Sequence, residues 1–84
     1  MIEEVKRIIN NWNPAEIYPL LDDEYSYEIK KLVDLTSATK SKEELAKKIY
    51  DLFYGTFGKE FRKSYSECHE IAEQIIVIML AEES

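Results

Sequence analysis

The sequence predicts an all-α fold, a compact four-helix bundle or irregular helical array, on three observations. Apolar residues recur at helical spacing along nearly the whole chain. No strand-like alternation lasts more than a few residues. Three capping signals, at Asn13, Ser41 and Ser64, fall where new helical runs begin.

The first helix is expected over 2–12, because Ile2, Val5, Ile8, Ile9 and Trp12 share one face. Asn13-Pro14-Ala15-Glu16 reads as a short helical restart. Asn13 caps free N–H groups, Pro14 takes the first helical position, and Glu16 closes a capping box before Pro19 breaks the turn. Asp22-Asp23-Glu24 opens the second helix, over 22–37, with Tyr25, Ile29, Leu32, Val33 and Thr36 facing inward. The stretch 36–41 is polar and aperiodic, hence a loop. A Ser41/Glu44 capping box starts the third helix, over 41–57, with Leu45, Ile49, Leu52, Phe53 and Phe57 as its stripe and Gly58 as its stop. Ser64 and Glu67 repeat the box for a fourth helix over 64–82. Trp12, Ile29, Leu32, Ile49, Phe53, Ala72 and Ile75 are expected in one core. On the fourth helix Cys68, Ala72, Ile75, Ile76 and Met79 share a face, but six consecutive apolar residues, Ile75 to Leu80, do not fit one stripe. This helix is therefore either enclosed on most sides or in contact with another chain, which would make it the route to a homo-oligomer.

The length of 84 residues leaves room for a single domain, 1–84, and excludes large enzyme scaffolds. With 45% apolar and 33% charged residues, the chain is expected to fold and to be soluble. One cysteine and no basic, apolar leader suit a reducing cytoplasm. The longest apolar run is far short of the ~20 residues that span a bilayer. A net charge of −6 argues against nucleic acid or an anionic membrane as the main partner. That charge is uneven: residues 1–28 and 64–84 each carry a net −5, whereas 29–63 carry +4.

Trp12-Asn13-Pro14, Tyr18-Pro19, Asp23-Glu24-Tyr25 and Glu28-Ile29, followed by Phe57-Gly58, Phe61, Glu67-Cys68 and Ile71-Ala72, resemble the YugE-like family of small, uncharacterised bacterial proteins. The resemblance runs from Val5 to Ile76 and implies a small helical bacterial domain with no established activity. Asn13 stands where that family usually has aspartate, and Ser26 where a second aspartate of the acidic signature is common.

The candidate binding surface is the acidic corner formed by Tyr18, Asp22, Asp23, Glu24, Tyr27 and Glu28, with Tyr25 beside them. Carboxylates next to tyrosines suit a basic protein partner, because tyrosine supplies contact area at low entropic cost. Acids in a first helical turn have a competing structural role, capping N–H groups and complementing the helix dipole. The corner lacks the mid-loop glycine and distal glutamate of an EF-hand, so it is not expected to bind calcium.

The remaining candidates are weaker. Trp12-Asn13-Pro14 is read as fixing a turn. Cys68 and His69 point about 100° apart on a helix and make a poor nucleophile–base pair. His69 with Glu73 alone is a thin metal site. Lys40, Lys42, Lys47 and Lys48 are diluted by neighbouring acids; Lys59, Arg62 and Lys63 are not, and are read first as a solvated face and second as a surface for an acidic partner or the acidic ends of a second copy. No catalytic set, metal site or cofactor motif is expected. The expected function is a non-enzymatic protein–protein interaction module with an unidentified protein partner. The alternative is an immunity-type protein that neutralises a basic toxin through the acidic corner.

Overall fold

The computed structural model describes residues 2–39 and 41–83; Lys40, one of the basic residues considered above, lies outside them, as do the side chain of Glu83 and both terminal residues. Four α-helices follow in order: α1 (Ile2–Trp12), α2 (Ser26–Ala38), α3 (Lys42–Phe57) and α4 (Tyr65–Glu83), with a 3-10 turn at Gly58–Glu60. No strand occurs among the described residues. The all-α reading is correct, and α1, α3 and α4 lie within a residue of their expected bounds. The radius of gyration, 11.9 Å, matches the ~12 Å expected of a compact chain this long.

The helix ends follow from local chemistry. At α3, Ser41 Oγ accepts a hydrogen bond from Glu44 N at 3.1 Å. The box is only half closed, because the Glu44 carboxylate turns to Lys48 at 3.2 Å. At α4 both halves form: Glu67 N donates to Ser64 Oγ at 3.1 Å, and Ser64 N donates to Glu67 Oε2 at 2.8 Å. Helix α3 stops at Gly58, whose φ of +57° any side chain would strain although the space around it is open.

Helix α2 departs from expectation. It begins at Ser26, and Asp22, Asp23 and Glu24 lie in turns before it. Glu24 N bonds Leu21 O and Ser26 N bonds Asp23 O, each at 3.2 Å, and the first α-type bond is Ile29 N to Tyr25 O at 2.8 Å. The buried tyrosine ring, not an acidic cap, sets where the helix starts.

The core gathers Val5 and Ile9 of α1, Tyr25 with Ile29 and Leu32 of α2, the Leu45–Phe53 stripe of α3, and Cys68, Ala72 and Ile75 of α4. Phe53 is its hub. Its ring meets those of Trp12, Tyr25, Phe57 and Phe61 at centroid distances of 5.9–6.1 Å. Trp12, Val33, Leu52 and Phe57 pack against this core while remaining partly exposed. The most extensive helix packing is α3 against α4. Helix α4 is not enclosed on most sides. Of its apolar run Ile75–Leu80, only Ile75 is fully buried, and Val77 and Leu80 are 60% and 55% exposed. No helix among the described residues is long and apolar enough to cross a membrane.

Candidate functional site

The acidic corner is built on the segment between α1 and α2, and its scaffold is polar. Asn13 closes α1 rather than opening a new helix. Its N–H bonds Ile9 O at 2.8 Å, and its φ is +50°. That is the left-handed residue after a helix C-terminus, a place asparagine tolerates, with proline following because it cannot continue the helix. The expected helical restart is therefore a tight turn, with Glu16 N bonded to Asn13 O at 2.9 Å and Glu16 itself at φ +53°.

The Asn13 side chain then does the work of a strand neighbour. Its Oδ1 accepts from Ile17 N at 3.0 Å, and its Nδ2 donates to Ile17 O at 2.9 Å. The buried Tyr25 hydroxyl donates to the same Oδ1 at 2.6 Å and accepts from Ala15 N at 3.0 Å. Both ends of the carboxamide are in use, so an ionised aspartate, which lacks the donor, does not reproduce this arrangement. Burial pushes the Tyr25 phenol above its ordinary value; the Ala15 N–H opposes this, while Glu24, Glu28 and Tyr18 add to it. A second attachment holds the far end of the segment: Lys6 Nζ meets Asp22 Oδ2 at 2.7 Å, and Asn10 Nδ2 reaches Asp22 O at 3.4 Å. That hydrogen bond raises the Lys6 pKa, with the neighbouring acids pushing the same way against a smaller desolvation effect.

On this scaffold the corner presents Tyr18, 79% exposed, and Tyr27, 63% exposed, together with Asp22, Asp23 and Glu24. Leu21 is also exposed, an apolar member that the sequence reading did not include. Lys31 Nζ lies over the Tyr27 ring, 5.8 Å from its centroid. Glu28 does not join them. It is 6% exposed, because with α2 starting at Ser26 it stands three residues after Tyr25 and four before Leu32, on the inner stripe. The capping role considered for the acids is also absent: the N-terminal residue flanking α2 is Tyr25, and no side chain caps it. Among the described residues, Asp23 and Glu24 make no side-chain hydrogen bond or ion pair. One edge of the corner is mixed in charge, where a shallow depression of about 610 Å³ lies between Glu16, Ile17 and Tyr18 on one side and Glu60 and Arg62 on the other.

Elsewhere, Cys68 is fully buried and burial pushes its thiol up to about 11, so it is protonated at neutral pH. His69 is partly buried, its ring 6.0 Å from that of Tyr65. Among the described residues no group of three or more His, Cys, Asp or Glu side chains is placed to hold a metal ion.

Residues 4–83 match the family model described as a domain of unknown function, DUF1871, and the chain belongs to that family. No curated protein and no solved structure matches it.

Proposed function

We propose that this member of an uncharacterised domain family is a non-enzymatic protein-interaction module of the bacterial cytoplasm, YugE-like in kind. It binds a basic protein partner through the corner of Tyr18, Leu21, Asp22, Asp23, Glu24 and Tyr27. The observation that carries the reading is the exposure of Tyr18 and Tyr27 beside carboxylates that serve no capping purpose. Large aromatic surface on a hydrogen-bonded backbone suits recognition, since little backbone entropy is lost on contact. The non-enzymatic part is supported by the chemistry of the one thiol, whose raised pKa makes it a poor nucleophile. A narrower form of the reading is an immunity-type protein, for which the same acidic, tyrosine-rich corner would meet a basic toxin.

The test is a double charge reversal, Asp23→Lys with Glu24→Lys, measured against a partner captured with the wild-type chain. Neither side chain is bonded in the fold, so stability should change by less than about 0.5 kcal/mol. Association should slow markedly at low salt, because rim charges act on the encounter rate. The effect should fade as salt rises, since exposed charges are screened beyond about 8 Å at physiological ionic strength. Unchanged association at low salt would sink the corner as an interface.

A further inference from the structure

A second surface lies apart from the corner, between α1 and α4. Two depressions, of about 430 Å³ and about 500 Å³, share Ile8, Glu70 and Gln74 and so form one continuous cleft. Trp12 and Glu67 lie toward one end, Val77 and Ile78 toward the other, as expected of two antiparallel helices. From Glu67 to Ile78 the α4 wall rises ~16 Å, three helical turns.

The two components of the cleft are distinct in chemistry. Its apolar lining comes from Ile8, Trp12, Ile71, Val77 and Ile78, with Asn11 and Gln74 between them. Its α4 rim carries Glu67, Glu70 and Glu73 at three-residue spacing, with Arg7 the one basic group lining it. Glu67 is engaged in its cap and Glu73 meets Lys42 at 3.3 Å, but Glu70 has no hydrogen bond or ion pair among the described residues. Residues 64–84 contain no lysine or arginine. Val77 within the cleft and Leu80 beyond it are both exposed. A second copy docked face to face would set these glutamates against their own counterparts, which charge repulsion disfavours. An apolar lining with glutamates along one wall matches a different occupant.

We infer that the α1–α4 cleft docks a basic amphipathic helix of about three turns from a partner protein. The helix lays leucine-sized side chains on Ile8, Trp12 and Ile78 and turns lysine or arginine toward Glu70. This inference stands apart from the proposed corner interface and uses none of its residues.

The protein supplies its own reporter, because Trp12, the sole tryptophan, lines the cleft. The probe is a synthetic leucine–lysine peptide of about 14 residues, with leucines at i, i+3, i+4 and i+7. The control is a scrambled peptide of the same composition. The patterned peptide should shift Trp12 emission to the blue and bind about tenfold more tightly than the scramble. Amide resonances of Ile8, Glu70 and Ile78 should move on its addition. Glu70→Lys and Val77→Asp alter exposed positions, so the fold persists, and each should weaken binding about fivefold, Glu70→Lys most at low salt. Asp23→Lys with Glu24→Lys should leave the affinity unchanged. Equal binding of both peptides, or no binding of either, overturns the inference. So do resonance shifts confined to the Tyr18–Tyr27 corner. Shifts at the cleft that appear on raising protein concentration alone, with dimer in sedimentation, would assign it to a second copy instead.

Discussion

The α3–α4 hairpin and the corner between α1 and α2 are held in place by different forces. In the hairpin, backbone polar groups are satisfied within the helices, both starts are capped by a serine, and apolar stripes close on each other around Phe53. In the corner there is no regular structure to satisfy the backbone. Turns and side chains do it instead, with one asparagine and one tyrosine making four hydrogen bonds among Asn13, Ala15, Ile17 and Tyr25. The first kind of region is sensitive to lost volume. The second is sensitive to a single misplaced proton, because a buried polar group without its partner costs more than the bond itself contributes. The difference also bears on function. By fixing its backbone from the inside, the corner leaves Tyr18, Tyr27, Asp23 and Glu24 facing outward.

Substitutions can break this contrast. The largest expected effect is in the core: Phe53→Ala removes a fully buried ring that touches four others, and should cost ~3–5 kcal/mol in urea unfolding. A loss below about 1 kcal/mol would mean that the hairpin does not depend on that ring. Next is Asn13→Asp, which keeps almost the same volume but puts a charged carboxylate oxygen where the Nδ2 donor to Ile17 O was. It should destabilise by about 1–3 kcal/mol at neutral pH. A neutral result would show that the bond from Nδ2 to Ile17 O does not hold the corner.

The smallest effect separates the regions by pH. The Cys68 thiol is pushed by burial from 9.0 up to about 11, so between those values the folded chain holds a proton that the unfolded chain has released. Stability is thus full below pH 9 and falls as pH rises through that window. Tyr25, raised from 10.0, acts in the same sense from about pH 10 upward. Cys68→Ala should therefore flatten the early part of the alkaline decline in melting temperature, and Tyr25→Phe the later part. Curves parallel to wild type would refute burial as the cause. The same buried thiol should resist alkylation at neutral pH until the chain unfolds.

The helical set was legible in the sequence because its causes are local. A stripe such as Leu45, Ile49 and Phe53, a serine three residues before a glutamate, and a glycine at Gly58 all act within one or two turns of chain. The membership of Tyr18, Asp22, Asp23, Glu24 and Tyr27 in one exposed segment was legible for the same reason. Asn13 reads from sequence as a helix start but closes α1, since asparagine serves either end of a helix, and the outcome rests on Tyr25, twelve residues away, donating into its carboxamide. That contact also seats the tyrosine inside, starts α2 at Ser26, leaves the acids uncapping, and turns Glu28 inward. Likewise the apolar end of α4 was visible as a surplus of hydrophobic residues, but only packing decided that α1 and α3 cover so little of it. Periodicity states which residues share a face, because backbone geometry sets it; which faces find a neighbour depends on contacts between distant parts of the chain, and those only the tertiary structure decides.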